Sequence, residues 1–334
     1  MPLLEYFWYR LRPVHLVLIP LSVLFGTFAA LRRAAYRLGW LHSEHVGIPV
    51  IVVGNITVGG TGKTPLVLWL IDLLRKSGYH PGIVTRGYSG SERLQQVSSD
   101  ADPRDTGDEP LLLARRANAP VFAGRKRAAA ALQLLRAHPE CDVIVSDDGL
   151  QHYALARDIE LAVVDGERRF GNGWLLPAGP LREAVGRLKS VHAIVVNGEA
   201  ELDVVTAPRY RMRVCGTVFR NVGNPQEQAR AAQFINRPLH AVAAIGNPAR
   251  FFSSLESLGL QFRRHPFPDH FAFGADDLVF AGDETVLMTE KDAVKCTAFA
   301  KASWWYLPVE AEVDPALGQL ILTKLRLRHG RQAA

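Results

Sequence analysis

Cysteine is scarce: Cys141, Cys215 and Cys296 are the only three in 334 residues. They are far apart and odd in number, with no Cys-x-x-Cys. That argues against a disulfide framework or a cysteine zinc site and fits a reducing compartment. Each reads as a small apolar core or edge residue rather than a nucleophile. No internal repeat of fixed period and no low-complexity tract interrupts the chain. Aromatic–basic repeats and zinc-finger spacing are missing, so nothing supports nucleic acid as a partner. Acidic side chains are in the minority, 33 against 39 Lys and Arg, for a formal net charge of +6. Charge therefore favours acidic partners, whether phosphates, nucleic acid or an anionic membrane surface, without choosing between them.

What is present is an ordinary globular composition, 48% hydrophobic and 22% charged, on a chain long enough for about two domains. The centre of interest is Pro49 to Leu74. Val50 to Val53 is a β-branched run that reads as a buried strand. Gly54-Asn55-Ile56-Thr57-Val58-Gly59-Gly60-Thr61-Gly62-Lys63-Thr64 follows, and then an apolar helix with Pro65 in its first turn and Gly78 as its stop. A loop ending in Gly-Lys-Thr between strand and helix surrounds an anion with backbone N–H groups and a helix N-terminus. In a nucleoside triphosphate site, Thr57 to Thr64 would cradle phosphates, Lys63 would reach the β- and γ-phosphates, and Thr64 would ligate Mg²⁺. The strict pattern places glycine where this chain has Thr57, so the loop is expected to turn differently.

The N-terminus is unusual for a soluble enzyme. Val14 to Leu31 is 18 residues without a formal charge, broken by His15, Pro20 and Gly26. As a helix it spans about 27 Å, close to a hydrocarbon core of about 30 Å. Arg10 and Arg12 precede it and Arg32, Arg33 and Arg37 follow, so charge gives no orientation. A cleaved export signal would put a nucleotide site where ATP is absent. Pro20 and the flanking arginines weigh against a full span. A helix or helical hairpin lying in the membrane interface fits best, with Trp8, Tyr9, Tyr36 and Trp40 at headgroup depth. The plain alternative is an apolar helix packed on the main domain.

Beyond the loop, strand and helix alternate. Strands are expected at 81–85, 142–146, 159–164 and 193–196, with a short one at 120–122 and an edge at 95–98. Helices are expected at 109–117 and 125–137. Such alternation implies parallel βαβ units and an open sheet with ligands at the strand carboxyl ends. Near residue 208 the pattern changes to a half-exposed strand, Arg209 to Val214. A second strand–turn–helix series then begins at Leu239, with strands at 286–289 and 304–308. Asp314 and Pro315 open a last helix with Leu317, Leu320, Ile321 and Leu325 on one face. Its basic end at Arg326, Arg328 and Arg331 reads as solvated, with anionic lipid as the alternative.

The fold class is therefore α/β: a P-loop-type open, mostly parallel sheet flanked by helices, a second smaller α/β domain, and an N-terminal apolar membrane-associated helix. The expected division is a helical segment 1–40, a nucleotide-binding domain 41–208 with 314–334 packing back on it, linker strands 209–214 and 307–313, and a smaller domain 215–306.

An acid for the metal is supplied by Val143-Ile144-Val145-Ser146-Asp147-Asp148, an apolar strand running into paired carboxylates as a Walker B segment does. Nothing in the spacing assigns His152 a role. Asp108, before a helix, reads on its own as an N-cap rather than a base. Thr289-Glu290-Lys291-Asp292 closes a strand and lacks the Asn-Lys-x-Asp spacing of guanine recognition.

Taken together and in order, these segments resemble the tetraacyldisaccharide 4′-kinases, the lipid A 4′-kinases of Gram-negative bacteria. The resemblance rests on the apolar N-terminus, Gly54 to Pro65, Arg86-Gly87-Tyr88 and Gly107-Asp108-Glu109-Pro110. It continues through Asp147-Asp148-Gly149-Leu150-Gln151-His152, Leu176-Pro177-Ala178-Gly179-Pro180-Leu181-Arg182-Glu183, Phe267-Pro268-Asp269-His270 and Thr289 to Asp292. It covers essentially the whole chain, and Thr57 belongs to that family's own version of the loop. The resemblance implies two α/β domains joined by a two-stranded linker, peripheral or monotopic on the cytoplasmic face of the bacterial inner membrane. It implies transfer of the γ-phosphate of ATP, with Mg²⁺, to the 4′-hydroxyl of a tetraacyldisaccharide 1-phosphate in lipid A and lipopolysaccharide biosynthesis. Asp108 would be the general base helped by His270, and Lys63 and Thr64 would hold phosphate and metal. Asp147 and Asp148 would be the acidic metal segment, and Arg86, His152, Arg182 and Glu183 would line the site. Expected partners are the lipid substrate and the membrane surface, with no nucleic acid and no obligate protein partner. The competing class is a membrane-associated P-loop switch ATPase of the partitioning or targeting type. Such a loop carries lysine just before its paired glycines, where this chain has Val58.

Overall fold

Short β-branched runs set the architecture by leaving no polar face. In a computed structural model, described for residue 8 and residues 14–87, 93–201 and 206–332, the first sheet has nine strands. Tyr9, Arg10, Arg12, Tyr88 and the side chain of Arg331 lie outside the described residues. In chain order the strands of this sheet are β1 (Val50–Gly54), β2 (Pro81–Thr85), β3 (Gln95–Gln96), β4 (Val121–Ala123), β5 (Val143–Asp147), β6 (Ile159–Asp165), β7 (Ala193–Asn197), β8 (Arg209–Cys215) and, after the second sheet, Glu310–Val313. The spatial order runs from Glu310–Val313 through β8, β7, β6, β1, β5, β2 and β4 to β3, parallel except at the two edges. Every residue of β1, β2, β5, β6 and β7 is buried, as a sheet covered on both faces requires.

The longer helices of this part among the described residues are α1 (Val14–Arg37), α2 (Lys63–Lys76), α3 (Asp108–Arg116), α4 (Arg127–Ala137) and, at the far end of the chain, Pro315–Gln332. On one face Leu66, Leu70 and Leu74 of α2 meet Leu317, Ile321 and Leu325 of the last helix over Ile51 and Val53. The other face packs Ala130, Ala131 and Leu134 of α4 over Val84 and Ile144. Each such side chain contributes roughly 1.5–3 kcal/mol on burial, so the C-terminal helix is part of the first core. Strand order turns back around β1, between β5 and β6, and opens a crevice at their carboxyl ends where such sheets bind ligands.

The second sheet has six strands: β9 (Val218–Asn221), β10 (Gln228–Arg230), β11 (Leu239–Ala243), β12 (Arg263–Pro266), β13 (Thr285–Thr289) and β14 (Trp304–Leu307). Its helices are α5 (Pro248–Ser257) and α6 (Glu290–Cys296). The last strand, Glu310–Val313, is then β15, and Pro315–Gln332 is α7. The chain passes between sheets twice, after β8 and before β15, and those two strands pair antiparallel. Gly216 makes the double crossing fit: a Cβ there would lie 2.3 Å from the Pro308 carbonyl oxygen.

The 24-residue α1 is docked along one side only. Ser22, 1% exposed, donates to the Leu175 carbonyl at 2.8 Å and accepts from the Ala178 N–H at 2.9 Å. Gly26 admits Leu175, whose Cδ1 would lie 2.4 Å from an added Cβ. Val17, Val23, Leu24, Phe28 and Leu31 remain exposed on the rest of its surface. The helix is long and apolar enough to cross a membrane.

Two expectations are corrected. Trp8 is not an exposed interfacial aromatic: it is buried, and its Nε1–H donates to the Pro177 carbonyl at 2.9 Å. Arg328 is not a solvated tail residue, because α7 continues past it and its guanidinium meets Asp158 at 2.5 Å. The Thr289–Asp292 segment closes a strand as expected, with Thr289 the last residue of β13. Its side chain caps α6 by accepting from the Asp292 N–H at 3.1 Å, and Glu290 opens the helix.

Candidate active site

The phosphate loop leaves β1 at Gly54, which lies flat against Leu150 of the neighbouring β5 loop. Thr57 has a structural job at the position where the strict pattern has glycine. It forms an isolated β-bridge with Leu181, flanked by Val58 N–H to the Pro180 carbonyl at 2.8 Å and Arg182 N–H to the Ile56 carbonyl at 2.7 Å. An extended residue suits that pairing, and the left-handed backbone appears later, at Gly59 and Gly62, both with φ +96°. Asn55 braces the turn from within, donating to the Gly59 carbonyl at 3.4 Å and Thr61 Oγ1 at 3.3 Å. Asn197, at the end of β7, donates to the Thr61 carbonyl at 3.0 Å. Gly62 caps α2 with no side-chain acceptor, so no side chain competes for the first-turn N–H groups.

The paired carboxylates divide their environments. Asp148, held at φ 48°, lies 3.3 Å from Lys63 Nζ and 3.0 Å from an Arg182 guanidinium nitrogen. Burial works against its charge, but Lys63 and Arg182 prevail and hold its carboxyl well below the usual range. Asp147 is pushed up to about 7 by burial, reinforced by the charges of Glu109 and Asp148. Its Oδ2 accepts from Thr85 Oγ1 at 3.4 Å, and Oδ1 is buried with no partner among the described residues. An orphaned carboxylate oxygen beside the phosphate loop is what a bound Mg²⁺ would satisfy. With Thr64 at the second position of α2, these residues fit a magnesium nucleotide.

The facing wall comes from the second sheet. Asp108 is the first residue of α3, whose cap is Gly107, so it is inside the helix rather than its cap. It is 3% exposed, and its Oδ2 lies 3.1 Å from Nδ1 of His270, a residue 162 positions away. Burial raises the Asp108 carboxyl, yet the His270 hydrogen bond and the charges of Lys291 and Lys295 outweigh it and hold it low. Arg116 of α3 pairs with Glu290 of α6 at 2.6 Å, and Lys291 of α6 pairs with Glu109 of α3 at 3.0 Å.

A second set of contacts closes over the phosphate loop. Arg168 reaches the Gly246 carbonyl at 2.7 Å and also bonds the Gly60 carbonyl. Asp165, ending β6, pairs with Arg168 at 3.1 Å and with Arg250 of α5 at 2.7 Å. The cleft enclosed is about 900 Å³, with Lys63, Glu109 and Asp148 on one wall and Asp269, His270 and Lys291 on the other. At Gly246 the two backbones approach closely, since a Cβ there would sit 2.4 Å from the Gly60 nitrogen. Gly246→Ala is therefore expected to hold the walls apart. ATP turnover should fall about tenfold or more while the melting temperature stays close to wild type, the loss a 1 Å misplacement produces. Wild-type kinetics in that variant would show the approach to be unimportant.

Among the sequence-predicted residues, Arg86 and Arg182 line the cleft with the Val58–Thr64 loop, and Thr57 lies behind it. His152 and Glu183 do not line it. The His152 ring is pushed down to about 3 by burial together with the Arg127 charge, and is therefore neutral. Glu183 is buried and accepts from Gln151 Nε2 at 2.9 Å and from the Tyr153 hydroxyl. Sequence reasoning missed Arg127, Arg168 and Lys291. Arg127 is 2% exposed, with Nε and one terminal nitrogen lacking partners among the described residues. Burial pushes its guanidinium down to about 10, against the pull of Asp148 and Asp147. Only Lys291 stood in a quoted motif, and the contacts that bring Lys291 and Arg168 to the cleft are with residues distant in sequence.

A triphosphate cradle with a buried carboxylate paired to a histidine of the facing wall is the layout of a P-loop phosphotransferase. A family model described as tetraacyldisaccharide-1-P 4′-kinase matches residues 14–326. The tetraacyldisaccharide 4′-kinase of Methylobacillus flagellatus is 53% identical over 323 residues, covering 96% of this chain and 95% of that protein. That of Azoarcus sp. is 54% identical over 337 residues, covering 100% and 98%. Among solved structures, the LpxK of Aquifex aeolicus in complex with ATP superposes with a TM-score of 0.79 at 27% identity, covering 93% of this chain and 99% of that one. The chain belongs to the tetraacyldisaccharide 4′-kinase family.

Proposed function

We propose that this chain transfers the γ-phosphate of ATP to the 4′-hydroxyl of a tetraacyldisaccharide 1-phosphate, with Asp108 receiving the hydroxyl proton. The observation that carries the assignment of the base is the Asp108–His270 pair, 3.1 Å apart, whose His270 lines the cleft with the phosphate loop. Lys63 and the first-turn N–H groups of α2 would neutralise charge on the triphosphate. Thr64 and Asp147 would hold Mg²⁺, with Asp148 poised by Lys63 and Arg182. Bound magnesium ATP supplies the phosphoryl group and screens its charge. Asp108 accepts the proton as the acceptor oxygen bonds to phosphorus and the bond to the leaving diphosphate breaks. Arg127, with its unpaired buried nitrogens and Arg86 and His152 as electrostatic neighbours, would receive the acceptor's own anionic phosphate. The division into a nucleotide-binding lobe at 41–208 with 314–334, linkers at 209–214 and 307–313, and a smaller lobe at 215–306 belongs to the same reading. So does a place on the cytoplasmic face of the inner membrane, where ATP is available.

Purified protein in detergent, given labelled ATP, Mg²⁺ and tetraacyldisaccharide 1-phosphate, should label the lipid. Folded protein that leaves the lipid unlabelled would rule the reading out. The exposed side of α1 is the expected membrane contact. The double variant Leu24→Asp, Phe28→Asp places charge on two exposed positions and should stay folded. It is expected to lose flotation with liposomes and to lose turnover of vesicle-borne lipid, while ATP binds normally. Undiminished flotation would remove α1 as the anchor.

A further inference from the structure

The reaction so far leaves one quoted motif without a task, Thr289-Glu290-Lys291-Asp292. It starts α6, and the structure fixes that start firmly. The Asp292 Oδ2 accepts from Thr289 Oγ1 at 2.6 Å and from the Ala244 N–H at 2.9 Å, tying the helix to the ends of β13 and β11. The next two side chains then project across the cleft onto α3. Glu290 meets Arg116, and the Lys291 ammonium enters a nest of acceptors. Its Nζ is 3.0 Å from Glu109, 3.5 Å from Asp269, 3.9 Å from Asp108 and 3.4 Å from Nε2 of His270. Burial disfavours the ammonium charge, but Glu109, Asp108 and Asp269 hold Lys291 above the ordinary lysine range. It is a cation with three donors and no acceptor.

That chemistry decides the imidazole. A ring nitrogen facing a donor-only group has to accept, so the His270 proton belongs on the other nitrogen, Nδ1. Nδ1 lies 3.1 and 3.2 Å from the two Asp108 oxygens. We propose that Lys291 is a positioning residue that fixes His270 as the Nδ1–H tautomer, so that its N–H donates to the Asp108 carboxylate and aims it at the acceptor hydroxyl. In the opposite tautomer, a nitrogen lone pair would face the carboxylate and the orienting bond would be lost. Asp269 completes the arrangement: it accepts from the His270 backbone N–H at 3.0 Å and pairs with Lys291, which steadies His270 at φ 60°. The inference rests on Asp108 as the base, and the tests below separate the two ideas.

The full-length protein, labelled with ¹⁵N-histidine, reports the tautomer of His270 by long-range proton–nitrogen correlation. The signal is assigned by its disappearance in His270→Gln. The expected wild-type pattern is protonation at Nδ1, and protonation at Nε2 would overturn the proposal by itself, with no variant needed. In Lys291→Met the ring should shift toward Nε2–H or a mixture. kcat should fall about 10- to 100-fold, the worth of one charge-assisted hydrogen bond, while the Kd for ATP is unchanged. Lys291→Arg keeps a donor-only cation and should retain the tautomer and recover most of the turnover. Placed on Asp108→Asn, Lys291→Met should add almost no further loss, because the two act through one unit. An unchanged tautomer in Lys291→Met would overturn the proposal. So would an additive loss accompanied by weakened ATP binding, which would make Lys291 a phosphate ligand instead. The spectra need no lipid acceptor, so they stand even if Asp108→Asn proves active and the base assignment fails.

Discussion

Asp108→Asn lowers kcat at least ~10²-fold, the lower range for general base catalysis, with little change in the KM for ATP. Asparagine has the same shape and still accepts from the Glu109 N–H, which Asp108 Oδ1 bonds at 2.9 Å. It cannot take a proton. The surroundings sharpen the expectation, because His270, Lys291 and Lys295 keep Asp108 ionised although it is buried. A carboxylate held so low is a weak base toward a free alcohol. In a loose phosphoryl-transfer transition state it need act only late, when the acceptor oxygen is already bonding to phosphorus. Steady-state kinetics with varied ATP, alongside direct ATP binding, separate this from a damaged nucleotide site. Turnover within a few-fold of wild type would return Asp108 to a structural part in α3.

Lys63→Met should be at least as costly, with kcat down ~10²–10³-fold, the range for removing one preorganised charge-stabilising group. Lys63 is paired with Asp148 at 3.3 Å, so the loss has two parts. The ammonium is missing from the phosphates, and Asp148 is left with Arg182 alone, so its carboxyl moves back up toward the ordinary range. Both kcat and the affinity for magnesium ATP are therefore expected to suffer, unlike in Asp108→Asn. Isothermal titration with ATP in the presence and absence of Mg²⁺ checks the second part. Normal magnesium dependence would mean that Lys63 and the acidic pair are not coupled.

Much of the first sheet could be read from residues alone because its strands announce themselves. Val50 to Val53 and Val143 to Val145 are β-branched runs that only a doubly covered sheet accepts, and Asp314 with Pro315 marks the start of α7. The edges of the second sheet gave no such signal. β12 is Arg263-Arg264-His265-Pro266, polar and largely exposed, and it forms a strand only because β11 offers it a partner. Trp8 misled for the opposite reason: an aromatic beside an apolar stretch suits a membrane interface, but Pro177 supplied a buried acceptor. In the site, the loop and the paired aspartates were legible because each is contiguous. Lys291 was not, since Glu109 is 182 residues away in sequence and only the meeting of α3 with α6 joins them. Thr57 looked like a defect until its bridge to Leu181 gave an extended residue a purpose. A likeness to a known family supplied the pairing of Asp108 with His270, which no local pattern contains.

The lock between α1 and the 175–178 turn sets a datum for the whole enzyme. Ser22 and Gly26 are keyed to Leu175 and Ala178, and four residues beyond that turn the chain delivers Arg182 to Asp148. With α1 in the membrane as proposed, its depth there and the height of the catalytic floor would be one quantity, transmitted through a rigid strut instead of a tether. An unrelated apolar 24-mer grafted in place of α1 would bring the chain to the membrane without restoring that gauge. Such a chimera should sediment with membranes and phosphorylate little of the lipid acceptor they carry, until Ser22 and Gly26 are written back into it.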